Sequence, residues 1–576
     1  MSHLITRCSA LVGSALLASF AHAQSTTLVS VDSSGVQGNQ FSQHASISGN
    51  GRFVAFSSVS SNLVPGDTNN HDDILVHDRT TGATTRVSVA TGGAQVNGVS
   101  SYPRISGDGR FVTFQSGATD MVSGDTNAFI DVFVHDRQTT TTTRVSVATG
   151  GAQANGASFS PAISADGRFI AFHSSATNLV AGDTNNTFDV FVHDRQTGAT
   201  TRASVSSAGV QGGASSSFAS LSGDGHYVVF HSAAVNLITG DTNASVDVFL
   251  HDNQTGATTR VSLGAAAAQS NGISVNPSIS SNGLAVAFHS NATNLVPNDT
   301  NALEDVFVRD LAAGTTTRAS VDSTGVESDG TSRYAALSAD GRFVAFESLA
   351  TNLVANDLNG KSDLFVHDRT THNTQRVSVD SSGGEGNGTT TGVSISSTGQ
   401  FTSFDGYSTN LVAGDTNNNG DVFVHDNGTP APFVYCTAGT TTHGCVPAIS
   451  YTGTPSASAG SGFTITVNSV EGQKQGILFY GLNQTGFTIH SWGASSSFLC
   501  VKAPTQRTHS QFSGGSFNAC DGALTLDWNT FIAVNPGALG NPLPPGQSVF
   551  AQGWFRDPTS PKTTMLSDAL AFVVAP

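Results

Sequence analysis

The chain has 576 residues, and its 24 Lys and Arg against 41 Asp and Glu give a formal net charge of -17. The length exceeds one ordinary domain, and the acidic balance disfavours nucleic acid and anionic lipid as partners. Only 11% of the residues are charged, and the 62 glycines with abundant Ser, Thr, Val and Phe are typical of short strands joined by tight turns.

Residues 1–23 have the features of a secretory signal peptide. Arg7 precedes the apolar run CSALVGSALLASFA, which ends in the small-residue sequence AHA before Gln24. We therefore predict cleavage after Ala23 and export, with no membrane span. The alternative is a buried N-terminal helix.

A repeat of 58 residues follows the signal peptide. The stretch GDTNNHDDILVHDR at 66–79 returns in seven copies, so that its first aspartate recurs as Asp67, Asp125, Asp183, Asp241, Asp299, Asp357 and Asp415. Each period contains four short strand-like segments, as in YPRISGDG, RFVTFQS, DVFVHDR and TTTRVSV. Four strands repeated seven times predict an all-β fold, a seven-bladed β-propeller over residues 24–428.

The two ends of the repeat predict how the ring closes. The seventh unit lacks its fourth strand, whereas TTLVSV stands alone at 26–31, and Val29 lies 58 residues before Val87. We expect the N-terminal strand to complete the last blade as its outer strand, which leaves few open sheet edges.

The segments ISGDGRFVTF, DVFVHDRQTG and TTRVSV together resemble the repeat of TolB-like propellers, over residues 26–428. The resemblance implies a rigid periplasmic or extracellular scaffold that often binds a partner. The longer loop between the second and third strands departs from that family.

A linker at 429–432 precedes a second β domain at 433–576. The segments GFTITVNSV, GILFYGLN, FTIHSW, LTLDWNTF and VFAQGWF predict its strands, in a sandwich-like arrangement. Its cysteines, Cys436, Cys445, Cys500 and Cys520, predict two disulfides, and chain order favours Cys436–Cys445 and Cys500–Cys520 among three possible pairings. The domain resembles a C-terminal module of secreted bacterial proteins, which implies export and surface attachment.

The loop before each third strand contains an Asp-x-Asn-x-x-x-Asp pattern. Its positions match those of a calcium-binding hand in part, although a Gly at position 6 occurs only once, as Gly420, and no Glu stands at position 12. The pattern predicts seven partial oxygen cages for Ca²⁺, and the alternative is that these residues shape turns. The candidate ligands are Asp67, Asn69, Asp73, Asp125, Asn127, Asp131, Asp183, Asn185, Asp189, Asp241, Asn243, Asp247, Asp299, Asn301, Asp305, Asp357, Asn359, Asp363, Asp415, Asn417 and Asp421.

A group present in every blade belongs first to the scaffold, so function is sought where the blades differ. One variable set begins the inner strands and is predicted to surround the channel mouth: His44, Tyr102, Phe159, Phe218, Asn276, Arg333 and Tyr334. The alternative is that these residues serve ordinary packing between blades. Another set ends the second strands and predicts a polar rim: Ser57, Gln115, His173, His231, His289, Glu347 and Asp405. Neighbouring blades stand about 10 Å apart, too far for one shared metal.

The chain has no nucleophile elbow, no metalloprotease motif and no phosphate-binding loop. Aromatic, arginine and amide side chains at a concave mouth suit a protein, a peptide or a glycan. We therefore predict a secreted, monomeric, non-catalytic binding protein. The alternative is a carbohydrate-active or other hydrolytic enzyme with its site on the same face, where Glu347 and Asp405 come from adjacent blades.

Overall fold

A computed structural model describes residues 24–428, and 433–574 apart from 436, 437, 439, 442, 457, 458, 483–489, 492–497, 518, 544–546 and 557–563. The predicted signal peptide, the linker 429–432 and Cys436 lie outside these residues. In the repeat region every strand of the four-segment pattern is present. Residues 24–428 form seven four-stranded antiparallel sheets, which are numbered as blades 1 to 7 by the chain order of their inner strands.

The four strands of each blade have constant bounds relative to the repeat. The inner strands are Ser42–Ile47, Ser100–Ile105, Ser158–Ile163, Ser216–Leu221, Ser274–Ile279, Ser332–Leu337 and Thr390–Ile395. The second strands are Phe53–Ser58, Phe111–Ser116, Phe169–Ser174, Tyr227–Ser232, Ala285–Ser290, Phe343–Ser348 and Phe401–Gly406. The third strands are Asp73–Asp78, Asp131–Asp136, Asp189–Asp194, Asp247–Asp252, Asp305–Asp310, Asp363–Asp368 and Asp421–Asp426. The outer strands are Ala83–Arg86, Thr141–Arg144, Ala199–Arg202, Thr258–Arg260, Thr315–Arg318, Asn373–Arg376 and, for blade 7, Ser25–Leu28.

The middle strands of each blade are apolar on both faces because both faces are covered by neighbouring blades. Phe114 and Phe133 of blade 2, for example, are fully buried and lie in one cluster with Ala55 and Ile74 of blade 1. Each inner strand contacts the inner strand of the next blade, and the inner strand of blade 7 contacts that of blade 1. The sheets therefore form the closed ring of a β-propeller.

The N-terminal strand closes this ring as the sequence predicts. Ser25–Leu28 pairs antiparallel with the third strand of blade 7, and the Val29 N–H donates to the Val422 carbonyl at 2.8 Å. Val29 is 1% exposed. One blade is thus built from both ends of the repeat region.

Residues 433–574 form a second all-β unit. One sheet contains Phe433–Tyr435, Thr564–Val573, Ser548–Arg556, Gln475–Gly481, Gln506–Arg507 and Gln511–Phe512, a second contains Ala448–Gly453, Phe463–Val470 and Gly522–Asp527, and His490–Ser491 pairs with Phe498–Leu499. The two larger sheets contribute to one core, in which Ile449 and Phe463 of one sheet meet Leu478 and Phe555 of the other.

Two details of this unit correct the sequence predictions. Cys445 is bonded to Cys520, so neither predicted pairing forms, because chain order says little about which strands a fold brings together. The segment LTLDWNTF is a strand only up to Asp527, whose side chain accepts a hydrogen bond from the Thr530 N–H at 2.9 Å. This N-cap begins the helix Trp528–Val534.

Helical structure is otherwise confined, within the described residues, to a short 3₁₀ turn at Ala265–Ala267. No helix in these residues is long and apolar enough to cross a membrane.

Candidate binding site at the channel mouth

Every inner strand has a β-bulge just after its second residue. In blade 1 the register moves from Gln43 opposite Ser57 to Ser46 opposite Ala55, and the other six blades repeat this shift. The third residue of each inner strand is left-handed, with φ between 47° and 62°: His44, Tyr102, Ser160, Phe218, Asn276, Tyr334 and Gly392. Such bulges redirect side chains, and the Tyr102, Phe218 and Tyr334 side chains are exposed.

This backbone conformation is costly for six of the seven residues. A left-handed residue that carries a Cβ costs about 1–2 kcal/mol relative to the right-handed form, and glycine avoids most of this penalty. In blade 7 this position is Gly392, which adopts the left-handed backbone without a Cβ clash. Blades 1, 2, 4 and 6 instead hold His44, Tyr102, Phe218 and Tyr334 in the strained form, a pattern characteristic of functional positions.

In blades 2, 4, 5 and 7 the polar residue near the end of the second strand supports the bulge of the next blade. Gln115 Oε1 accepts the Ser160 N–H at 2.9 Å, and His231 Nδ1 accepts the Asn276 N–H at 3.2 Å. His289 Nδ1 and Asp405 Oδ1 do the same for the Tyr334 and Ala45 N–H groups, at 3.4 and 3.1 Å. These residues do not form the exposed rim that the sequence suggests: they are buried or half-buried braces between blades.

Burial sets the protonation of these braces. It lowers the pKa of His173, His231 and His289 to about 4, so the three rings are neutral at pH 7, and His231 and His289 serve as hydrogen-bond acceptors. Burial also raises the pKa of Asp405 to about 7, against the opposing effect of the backbone N–H groups that it accepts. His173 Nδ1 and Glu347 Oε2 are buried without a hydrogen-bond partner among the described residues.

Aromatic rings join the predicted mouth residues of neighbouring blades. The His44 and Tyr102 rings stack with centroids 4.1 Å apart. Across blades 3 and 4 a continuous row of rings, which we call the aromatic arc, runs from Phe159 through His173 and Phe218 to His231, with steps of 5.8, 5.6 and 5.4 Å. The mouth therefore offers ring surface to a ligand on more than one side.

One residue that packs against the aromatic arc, Phe188, was not predicted from the sequence. Phe188, from the loop before the third strand of blade 3, has its ring 5.5 Å from His173 and 6.1 Å from Phe159. Because the other blades place different residues at this position, the aromatic residue in the sequence NNTFDVF was a usable signal.

The remaining predicted mouth residues add polar groups. Arg333 pairs with Glu304, and the His289 and Tyr334 rings meet edge to face at 5.6 Å. Asn276 is half-buried beside its brace His231.

Arg104 is a second residue that the sequence reasoning missed. It is exposed, two residues after Tyr102 on the same inner strand, and its Nη1 donates only to the Pro103 carbonyl, at 2.9 Å. The equivalent residues of the other blades are Ser46, Ala162, Ser220, Ser278, Ala336 and Ser394.

The predicted calcium cages are occupied by protein groups. In blade 1, Arg86 Nη1 lies 3.0 Å from Asp73 Oδ2 and 3.6 Å from Asp67 Oδ1. The Asn69 amide donates to the Val96 carbonyl, while its Oδ1 accepts the His71 N–H in an Asx-type turn. Each of the five following blades has its own arginine in this place: Arg144, Arg202, Arg260, Arg318 and Arg376.

Blade 7 has Leu28 where the other blades have this arginine. Gln37 takes over part of the role, since its Nε2 donates to Asp415 Oδ1 at 2.7 Å and to Asp421 Oδ2 at 2.8 Å. Burial raises the pKa of Asp421 to about 6. The seven cages are therefore not equivalent.

Blades 5 and 6 add a third acid to the cage. Glu327 joins Asp299 and Asp305, and Glu385 joins Asp357 and Asp363; in each set one oxygen per residue lies within 4.8 Å of the others. Blades 1 to 4 have Gln95, Gln153, Gln211 and Gln269 at the position of these glutamates. The two acidic sets can hold a metal ion.

The acidic sets contain buried oxygen atoms that lack hydrogen bonds. These atoms are Asp299 Oδ1 and Asp357 Oδ2. Burial, reinforced by the charge of Asp363, raises the pKa of Asp357 to about 6. Arg318 and Arg376 nevertheless remain close, with Nη1 3.1 and 3.5 Å from Asp305 and Asp363.

The histidines of the repeated VHDR segments do not contribute to a site. His77 Nδ1 lies 2.8 Å from Thr84 Oγ1, which donates to the Val31 carbonyl of the neighbouring outer strand region at 2.5 Å. Asp78 accepts two hydrogen bonds from Arg52, at 2.8 and 2.7 Å, which hold its pKa well below the usual range. This repetition is structural.

No protein-family model matches the chain, and no curated protein matches it. Solved structures similar to it include TolB from Acinetobacter baumannii, at 15% identity and a TM-score of 0.33 over 57% of this chain and 64% of that one. The propeller of Dos1 is 13% identical, with a TM-score of 0.37 over 70% of this chain and 94% of that one.

Peptidase structures also resemble the chain. An acylaminoacyl peptidase is 11% identical, with a TM-score of 0.42 over 75% of this chain and 59% of the peptidase. The chain thus spans less than two thirds of the A. baumannii TolB and of this peptidase. Its own propeller fold follows from the seven sheets and their closed ring.

Proposed function

We propose that the chain is an exported, non-catalytic binding protein whose channel mouth receives a protein, peptide or glycan. The observation that carries this proposal is the set of bulky side chains held in left-handed backbone at the mouth, three of them exposed aromatic rings. Strain that glycine would relieve is retained where the side chain itself is needed. The disulfide between Cys445 and Cys520 supports export to an oxidising compartment.

A binding screen of the full chain against peptide and glycan arrays tests this proposal. The triple variant Tyr102→Ala, Phe218→Ala and Tyr334→Ala should reduce binding at least tenfold, because buried aromatic anchors dominate such contacts. Leu284→Ala is the matched control, since Leu284 is 47% exposed on the hairpin between inner and second strands, away from the mouth. Equal binding by the triple variant and the control would contradict the proposal.

A hydrolytic function is the alternative, and one observation favours it. The pKa of Asp405, raised to about 7 by burial, suits a group that exchanges protons near neutral pH. Asp405→Asn keeps an acceptor for the Ala45 N–H while removing the titratable group. Turnover of a bound ligand that disappears in this variant would establish the enzyme.

We also propose that Ca²⁺ binds at the acidic sets of blades 5 and 6. Three carboxylates and a buried oxygen without a hydrogen bond provide the hard ligands that Ca²⁺ requires, whereas blade 1 offers two carboxylates. Arg318 and Arg376 contact the three carboxylates of their blades, as Arg86 contacts the two of blade 1. Displacement of Arg318 and Arg376 by the ion is part of this proposal.

Thermal unfolding tests the calcium proposal. Millimolar Ca²⁺ should raise the melting temperature and EDTA should reverse the rise, because an ion that binds only the folded chain stabilises it. The double variant Glu327→Gln and Glu385→Gln, which introduces the residue of blades 1 to 4, should not respond. A response of the variant equal to that of the original chain would place the ion elsewhere.

A further inference from the structure

The exposed guanidinium of Arg104 distinguishes one sector of the channel. The other six blades have only Ser or Ala at this position, and in blades 1, 4 and 7 the serine hydroxyl accepts the N–H of Ile105, Ile279 and Ile47. Arg104 therefore replaces a small residue that joins neighbouring blades. The scaffold does not require an arginine there.

The Arg104 guanidinium is not in ion-pair contact with a carboxylate among residues 24–428. The acid whose charge acts on it is Asp405, whose own pKa is raised to about 7 by burial. Its Nη1 donates to the Pro103 carbonyl at 2.9 Å. The other arginine of the mouth, Arg333, is paired with Glu304. An exposed guanidinium that no carboxylate contacts directly can form two parallel hydrogen bonds with a planar anion.

The surroundings of Arg104 limit the kind of anion. Its charge contributes, after burial, to lowering the pKa of His44, whose ring stacks on Tyr102. A carboxylate held by Arg104 would thus lie next to aromatic surface. Glu347 and Asp405 lie on second strands, Glu304 immediately precedes the third strand of blade 5, and the whole chain carries a net charge of -17.

This charge distribution favours a ligand with a single carboxylate. An acidic polysaccharide repeats its negative charge along the chain, and the net negative charge of the protein would repel every copy that Arg104 does not bind. A peptide presents its terminal carboxylate once and follows it with side chains that can pack on aromatic rings. Resting on the proposed binding function, we propose that Arg104 binds the C-terminal carboxylate of a peptide whose last side chains contact Tyr102 and the aromatic arc.

Peptide arrays printed in two matched forms test this assignment. One form ends in a free carboxylate and the other in a carboxamide, and oligosaccharides of uronic acid form a third arm. The full chain should bind the free-carboxylate peptides about tenfold or more tightly than their amides. Arg104→Gln should abolish this preference and Arg104→Lys should retain part of it. Arg507→Gln, at an exposed position of the second β unit, is the control and should leave the preference intact, while unchanged melting temperatures show that each variant folds.

The outcomes separate this inference from the proposed function. Equal binding of acids and amides, or no peptide binding at all, overturns the carboxylate assignment. If that binding still depends on Tyr102, Phe218 and Tyr334, the mouth remains the binding site. Uronic acid binding that depends on Arg104 without peptide binding also overturns the assignment to a peptide.

Discussion

At the scale of single residues, chemically different side chains perform one structural role at the end of the second strand. An amide in blade 2, imidazoles in blades 4 and 5 and a carboxylate in blade 7 each accept a backbone N–H from the next blade. Four of the seven blades use an acceptor there, and several kinds of side chain serve. Protonation removes the ring acceptor of His231 and His289, whereas a protonated Asp405 keeps a carbonyl oxygen that accepts.

The histidine braces predict a loss of stability in acid. Their folded pKa of about 4 lies below the ordinary 6.5, so the unfolded chain binds protons first as the pH falls. The stabilisation is complete above about pH 6.5 and is lost progressively towards pH 4. It amounts to a few kcal/mol per histidine at most, since one pKa unit corresponds to about 1.4 kcal/mol.

The double variant His231→Gln and His289→Gln tests this origin of acid sensitivity. Gln115 shows that glutamine reaches the same N–H, so the variant should match the original melting temperature at pH 7 within a few degrees. Between pH 7 and pH 4.5 the melting temperature of the double variant should fall by less than that of the original chain. His509→Gln, at an exposed position, is the control, and parallel pH profiles for all three proteins would show that the braces are not the cause.

At the scale of the element, the β-bulge exposes an aromatic ring but places its residue in left-handed backbone, which lowers the free energy of unfolding. Tyr334→Gly should raise the free energy of unfolding by about 1 kcal/mol, because glycine adopts the left-handed backbone without a Cβ clash. Tyr334→Ala removes the same ring but keeps the strain, so it should gain nothing. Both variants should weaken ligand binding alike, and thermal unfolding with binding titrations measures the two effects; equal stability of the variants would remove the strain argument.

The positions of the strands could be predicted from the sequence, whereas the left-handed backbone at the bulge of each inner strand could not. Period-two patterns and turn residues located four strands per repeat, since those signals are local. A left-handed Tyr102 or Phe218 leaves no local signal, because the bulge depends on pairing with the second strand. The same limit applies to Cys445 and Cys520, which are separated by 75 residues and brought together only by the fold.

The candidate site was predictable where blades could be compared. The mouth positions were predicted because their residues vary between blades. Arg104 also varies, but it is the fifth residue of its inner strand and lies beyond those positions. The arginine beside the aspartates of blade 1 could not be predicted in this way, because Asp67 and Asp73 are close in sequence whereas Arg86 lies on the outer strand. Leu28, in the segment TTLVSV, is the one residue of the seven blades that is not arginine at this position, and the sequence alone shows this difference.

At the scale of the whole molecule, stability depends on joining the two ends of the ring. The N-terminal segment gives blade 7 its outer strand, and the Ser30 hydroxyl donates to Asp421 Oδ1 at 2.5 Å. Thr26 Oγ1 lies 2.8 Å from His425 Nδ1 in the same segment. Without these residues blade 7 has an open edge, a buried carboxylate that has lost a donor, and an exposed apolar surface around Val422.

Removal of residues 24–31 therefore predicts a large, reversible loss of stability. The truncated chain should melt at least 10 °C lower, because it loses a whole strand of main-chain hydrogen bonds and the buried Val29 side chain. A synthetic peptide of residues 24–31 should restore most of the melting temperature in a concentration-dependent way, since it binds only the folded ring. The same peptide with Val29→Asp is the control and should not rescue, because it would bury an unpaired charge. Rescue by both peptides, or a truncated chain as stable as the original, would show that closure by this strand does not hold the propeller together.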